Sequence, residues 1–215
     1  MKKSKRLLLI GLLIILLVAF SAASAPYFLQ YSSSYSKTDA IILFLGPDFS
    51  ARQKEAYKII NEGKADYLII PAYRKIYKIY YEGHIRYLSP NLSSNSSTKK
   101  ENYTDPSFPS FYEDTHIEAM AARKMMADYS LNSAIFVSSP YHMRRIKVIV
   151  AKVFKADRGE FYFVPTSFEK APAYFWELTG TDWKKVRREC GKIIWFFLYS
   201  PWTKMDENIE AAPNR

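Results

Sequence analysis

Ala40-Ile41-Ile42-Leu43-Phe44-Leu45-Gly46 and Tyr67-Leu68-Ile69-Ile70-Pro71, with a helical stretch between them, decide the fold of this chain. Each apolar run is too short for a helix and ends at a residue that stops strands, Gly46 or Pro71. Strands that are apolar throughout belong to a parallel sheet covered on two faces. Pro47-Asp48-Phe49-Ser50 reads as a loop, with Ser50 available as a helix cap, and Ala51 to Asn61 as a helix closed by Gly63. A strand, a helix and a parallel strand joined by a right-handed crossover are the unit from which such a sheet is built.

The same rhythm returns further along. Thr115 to Tyr129 reads as a helix, Ala134 to Val137 as a strand and Pro140 to Phe154 as a helix. Phe161 to Val164 is another strand, and Asp182 to Tyr199 a last helix, basic in its first half and aromatic in its second. Residues 73–111 interrupt the pattern and read as an insertion. Ile76 to Tyr80 and Ile85 to Leu88 flank Glu82-Gly83 as a small hairpin, and Asn91 to Thr104 is a Ser/Asn-rich loop expected to be mobile. That loop carries N-x-S/T sequons at Asn91, Asn95 and Asn102, a pattern such a composition produces by chance. The expected architecture is α/β: an open, doubly wound, mostly parallel sheet with an inserted hairpin and loop.

The N-terminus is a membrane signal. Lys2, Lys3, Lys5 and Arg6 precede a run from Leu7 to Phe20 broken only by Gly11, and the uncharged stretch extends to Ala25. At 1.5 Å per residue this covers about 30 Å, enough to cross a hydrocarbon core. Positive charge stays on the cytoplasmic side, which puts the body outside. A cleaved signal peptide competes with a retained anchor, because Ala23-Ser24-Ala25 fits the small-residue cleavage pattern; the apolar run, at the long end of the signal-peptide range, favours the anchor. The chain therefore divides into an anchor or signal over residues 1–25, a linker over 26–38, an α/β domain over 39–202 and a polar tail over 203–215.

Composition narrows the partners. With 48% hydrophobic and 24% charged residues the chain is globular. A lone cysteine, Cys190, excludes an internal disulfide and a cysteine-built zinc site, and its helical position favours an idle thiol. The net charge is +10, and removing the four N-terminal charges leaves +6 on the body. That balance suits a phosphorylated lipid or another anionic small molecule, or a membrane surface, although a solvated basic surface with no such partner is the stronger reading of charge alone. No zinc-finger spacing, RNP pattern or Lys/Arg-packed helix points to nucleic acid.

In open α/β sheets ligands sit beyond the carboxyl ends of the strands. The first such end is Leu45-Gly46-Pro47 with Arg52, where Gly46 permits a tight turn and a close approach to the backbone. The second is Thr115-His116-Ile117-Glu118, which fits a T-x-x-E capping box; on spacing alone that is the stronger reading, with a hydroxyl and a carboxylate at the cleft rim as the functional one. The third is Val137-Ser138-Ser139-Pro140-Tyr141-His142-Met143-Arg144-Arg145. Here Ser139 is a suitable N-cap and Pro140 a suitable first helical residue, and the helix start is suited to an anion. His142 and Arg145, three apart, share one helix face. A histidine bonded to a backbone carbonyl and an arginine in a surface salt bridge would account equally well for the pair. His84 and His116 read as surface residues. Trp195, Phe196, Phe197, Tyr199 and Trp202 read as core, or alternatively as residues at lipid headgroups.

Taken in order, these segments resemble the YdcF-like family, which includes SanA- and ElyC-type envelope proteins. Asp39-Ala40-Ile41-Ile42 leading to Leu45-Gly46 and Arg52 is similar to the family's opening strand. Thr115 and Glu118 resemble its T-x-E-N segment, and Ser138 to Arg145 its T-S-x-y-H-m-x-R segment. Glu189 and Lys192 fall where the family carries a Glu and a basic residue. The resemblance spans residues 39–199 and is specific only at His142 and Arg145. It implies a Rossmann-like sheet, an N-terminal anchor and a role in envelope integrity, with ElyC-like members linked to the lipid carrier of peptidoglycan synthesis and YdcF to S-adenosylmethionine. Two departures stand out. Pro71-Ala72-Tyr73 replaces the family's Ser-Gly-Gly, and Ala119 replaces the Asn of T-x-E-N.

Two functions follow as expectations. In the first, the chain binds or processes a phosphorylated envelope precursor such as a polyprenyl phosphate. His142 is then the acid or base, Glu118 orients it, Arg52 and Arg145 hold phosphate charge, and Gly46, Thr115 and Ser139 complete the ligand site. No metal-ligand spacing occurs, though Asp48, Glu113 and Asp114 are carboxylates able to hold Mg²⁺ together with a phosphate. In the second, the chain is a non-catalytic envelope scaffold with a vestigial cleft.

Overall fold

The computed structural model describes residues 2–82, 85–93, 109–155, 157 and 159–202. The Gly83 turn, His84, the sequons at Asn95 and Asn102 and the tail over 203–215 lie outside the described residues.

Six strands form one sheet in the order β4-β3-β2-β1-β5-β6. These are β1 (Thr38–Leu43), β2 (Ala65–Ile70), β3 (Lys75–Glu82), β4 (Ile85–Leu88), β5 (Ser133–Ser138) and β6 (Glu160–Pro165). The four apolar strands pair in parallel, β2 with β1, β1 with β5 and β5 with β6. The hairpin does not stand apart from the sheet. Its first strand joins β2 antiparallel, Leu68 facing Tyr77, and β4 forms the outer edge. Leu92 N donates to Ile76 O and Ile76 N to Asn91 Oδ1, so the start of the Ser/Asn-rich loop is fastened to β3.

Alternate residues of each parallel strand face opposite layers, and helices cover both faces. On one side Ile41 and Leu43 of β1 pack on Ala56, Ile59 and Ile60 of α2 (Phe49–Asn61). On the other, Ala40, Ile42 and Phe44 meet α3 (Asp114–Asp128), α4 (Met143–Val153) and the end of α5 (Gly180–Tyr199). The sequence places α4 at Pro140, but Pro140–His142 is a separate 3-10 turn and α4 starts at Met143. The last helix starts two residues earlier than expected, at Gly180, on a capping box between Thr179 and Asp182.

The N-terminal helix α1 (Lys2–Leu29) is long and apolar enough over Arg6–Leu29 to cross a membrane. It runs four residues past the expected boundary at Ala25. Leu29 is fully buried with Tyr141, Val186 and Ile193, and Ala25 packs against the same cluster. The segment read as a linker is also fastened to the sheet: Ser33 N donates to Phe163 O, and Phe163 N to Ser33 Oγ.

Candidate functional site

The strand order reverses at β1, because β2 lies on one side of it and β5 on the other. Connections leaving β1 and β5 diverge to opposite faces there, which opens a crevice at their carboxyl ends. A cleft of about 240 Å³ lies at this point. Gly46, Arg52, Thr115, Glu118, Ser139, His142 and Arg145, the seven residues singled out from the sequence, all line it.

The chemistry of the wall differs from the expectation in three places. First, Thr115 and Glu118 form no capping box. The N-cap of α3 is Glu113, with no side-chain cap bond, and Thr115 is already inside the helix. The Thr115 hydroxyl accepts from Arg145 Nη1 at 2.7 Å and lies 3.2 Å from His142 Nε2. Glu118 accepts from the backbone N–H of Leu45 at 3.4 Å. Second, Ser139 is the N-cap residue of the 3-10 turn, but its side chain does not cap; it accepts from Arg52 Nε at 3.0 Å. Third, the close approach that Gly46 permits is to Arg52. A Cβ on Gly46 would collide with the Arg52 guanidinium.

His142 is 8% exposed. Its Nδ1 lies 3.0 Å from Ser138 Oγ and its Nε2 faces Thr115, so two hydroxyls hold the ring where a carboxylate was expected. Burial, then the positive charge of Arg145 and Arg52, lowers its pKa well below the usual histidine value. The imidazole is therefore neutral near pH 7, and its buried setting beside two guanidinium groups resists its protonation. Thr115 Oγ1, having accepted from Arg145, keeps its own hydrogen for Nε2.

Arg145 is a structural centre. Nε donates to Glu189 at 2.7 Å and Nη1 to Glu113 at 2.5 Å, all three groups being buried. Burial raises the Glu113 pKa against the pull of Arg145. Arg52 differs. It is 3% exposed, and its donors go to the carbonyls of Phe44 and Leu45 and to Ser139. Among the described residues no carboxylate lies within ion-pair distance of it, and Nη2 carries no hydrogen bond.

The far wall was missed from the sequence. Lys185, Arg188, Glu189 and Lys192 recur at helical spacing along one face of α5 and line the cleft, together with Tyr141 and Glu169. Only Glu189 and Lys192 were singled out, and those through the family resemblance. The i, i+3, i+4, i+7 spacing was available to find the face. Lys185 is engaged by Glu169 at 2.8 Å and by Asp48 at 3.4 Å. The Mg²⁺ carboxylates do not converge: Asp48 faces Lys185, Glu113 is bound to Arg145, and among the described residues no group of three or more ligating side chains could hold a metal ion.

His116 was read as a surface residue and is fully buried. It stacks on Tyr112, meets Phe196 edge-on, and has Nδ1 3.2 Å from the Tyr199 hydroxyl. Of the aromatics near the C-terminal end of α5, Phe196 and Tyr199 are core, whereas Trp195, Phe197 and, in the 3-10 turn that follows, Trp202 are exposed. No family model, no curated protein and no solved structure matches this chain.

Proposed function

We propose that the chain is a single-pass protein of the cytoplasmic membrane whose α/β body, with a Rossmann-like sheet of the YdcF type, lies outside and binds a phosphorylated envelope precursor such as a polyprenyl phosphate. The observation that carries this reading is Arg52. Among the described residues this buried guanidinium bonds only to carbonyls and a hydroxyl and has no carboxylate at ion-pair distance. The charges of Glu169 and Glu118 reach it only from further off, so a bound anion would complete its partners. Lys192 and Arg188 add cations at the rim. Neutral His142, held by Thr115 and Ser138, places a polar, uncharged ring beside that site.

A retained anchor fits the packing of α1. The Ala25–Pro26 bond, where a signal peptide would be cut, lies within a helix, and Pro26 is buried. Lys2, Lys3, Lys5 and Arg6 orient the body outward by the positive-inside rule.

The scaffold reading keeps one observation in its favour. Arg145, the arginine most like the family's, is already paired with two internal carboxylates and a hydroxyl through Nε and Nη1. Titrating the full chain in nanodiscs with a short-chain polyprenyl phosphate and with the matching polyprenol separates the two. The binding reading expects the phosphate form to bind at least about tenfold more tightly, one charge-assisted contact's worth, and Arg52→Met to erase the difference. Equal binding of phosphate and alcohol leaves the scaffold.

A further inference from the structure

Three consecutive large aromatics, Tyr174, Phe175 and Trp176, stand exposed on the body, Trp176 to 68%. They are arranged against one another and not collapsed onto the core. Tyr174 and Trp176 stack at 4.9 Å with ring planes 6° apart, and Phe175 meets Trp176 edge-on at 5.0 Å. An exposed apolar group of this kind on a soluble surface marks a contact surface.

The flanks of the turn fix where it sits. Ala171 and Leu178 pack into the cluster that holds Leu29 and Ala25 of α1. Pro172 O accepts from Gln30 Nε2 at 3.1 Å and from the Tyr141 hydroxyl at 2.6 Å. The turn is thus fastened to the last turns of α1. About twenty helical residues span a hydrocarbon core, so a span that opens at Leu7 reaches the headgroup layer near Pro26. Tyr27 and Phe28 are exposed at that level, and the Arg144 guanidinium lies 4.5 Å from the Phe28 ring centroid. Tyrosine and tryptophan beside a long basic side chain are the composition of a bilayer interface.

We propose that Tyr174–Trp176 is a second membrane contact, seated in the headgroup layer of the bilayer that α1 crosses. The proposal rests on the reading of α1 as a retained anchor. It also deepens the proposed function. Tyr141 lines the cleft beside His142, packs with Leu29 and bonds to Pro172, so one side chain joins the cleft wall to the interfacial cluster. The cleft mouth is then held at headgroup height, and its ligand is an anion borne on a lipid.

The full chain reconstituted in phosphatidylcholine vesicles brominated near the top of the acyl chains tests this. The tryptophan emission of the parent minus that of Trp176→Phe isolates the Trp176 signal. The expected result is strong quenching by the brominated lipid and weak quenching by acrylamide in the water. A signal open to acrylamide and untouched by the lipid overturns the proposal. So does a signal shielded from both, which would assign the turn to a second copy of the chain. A second arm replaces Tyr174, Phe175 and Trp176 by Ser. Binding of vesicle-borne polyprenyl phosphate should weaken by about tenfold, with inorganic pyrophosphate binding unchanged. Equal weakening of both overturns the link to the cleft. If the parent binds neither phosphate, the function reading fails while the quenching result stands by itself.

Discussion

The floor and the rim of the cleft use the same residue types for opposite ends. On the floor, the Arg145 guanidinium is enclosed by Glu113, Glu189 and Thr115, and His142 by Ser138 and Thr115. On the rim, the Arg188 side chain is 56% exposed and lies 3.8 Å from Glu189, and Lys192 makes no hydrogen bond or ion pair among the described residues. Burial decides the difference. A charge removed from water calls for fixed partners: the carboxylates around Arg145 make it part of the fold, Arg52 is buried without such a partner, and the rim charges remain partly solvated. Sequence spacing makes Arg145 a phosphate clamp, and packing makes it a brace between α3, α4 and α5.

The sharpest break of this contrast is Arg145→Met. Removing one partner of a buried pair leaves Glu113 and Glu189 uncompensated, which costs about 3–5 kcal/mol. For a body of this size that lowers the Tm by at least about 6 °C. Differential scanning fluorimetry of the full chain in detergent checks it. A variant that melts with the parent would return Arg145 to the ligand site and erase the distinction between floor and rim.

Acid should act next most strongly. Burial pulls the His116 pKa down to about 4, against an ordinary value near 6.5. Below pH 6.5 the unfolded chain takes a proton that the folded chain refuses, so stability present above pH 6.5 is lost as pH falls towards 4. The shift corresponds to a loss on the order of 3 kcal/mol for this group. His142, shifted the same way, adds to the loss. Melting curves between pH 7 and 4.5 should show the decline, and His116→Phe should flatten it. An unchanged slope in that variant would place the acid sensitivity elsewhere.

The parallel strands were legible because each carries a short apolar run, stopped by Gly or Pro in β1, β2 and β6 and by Ser138-Ser139 in β5. The cleft was legible because ligand sites in such sheets follow the strand ends, and Gly46, Ser139 and His142 each sit just past one. The roles of these residues were not. T-x-x-E satisfies the spacing of a capping box, yet Thr115 lies two residues too deep in α3, since Glu113 takes the N-cap position. His116 is two residues from exposed Asp114 in sequence, but tertiary packing of Tyr112, Phe196 and Tyr199 closes over it. Membership of the hairpin in the main sheet was likewise a tertiary fact, set by pairing with β2 and not by the hairpin's own pattern.

A smaller effect is expected where floor and backbone meet. Gly46→Ala places a methyl group against the Arg52 guanidinium, which must leave its bonds to the Phe44 and Leu45 carbonyls. Overpacking of this kind costs about 1–3 kcal/mol. Because Arg52 carries the proposed anion site, polyprenyl phosphate binding should fall with stability. Pairing the change with Arg52→Met checks the route: the two losses should be less than additive, and full additivity would separate the glycine from the arginine.

The smallest effect on the fold, and the most direct on the proposed function, belongs to Lys192→Met. Lys192 is half-buried on α5, lines the cleft, and its charge reaches both His142 and Glu113. Methionine keeps the helix former and most of the apolar stem, so stability should move by no more than about 0.5 kcal/mol. If the rim cation meets the ligand's phosphate, affinity for the phosphate form should fall by roughly tenfold or more at low salt. The gap between parent and variant should shrink as salt rises, because a solvated charge is screened over about 10 Å at 0.1 M. Arg145→Met predicts the reverse signature, a large loss of Tm that salt barely alters. Matched titrations and melting curves at two salt concentrations therefore resolve floor from rim within one pair of variants. Should Lys192→Met leave affinity for the phosphate form unchanged at low salt, the rim has no part in binding and the anion site contracts to Arg52 alone.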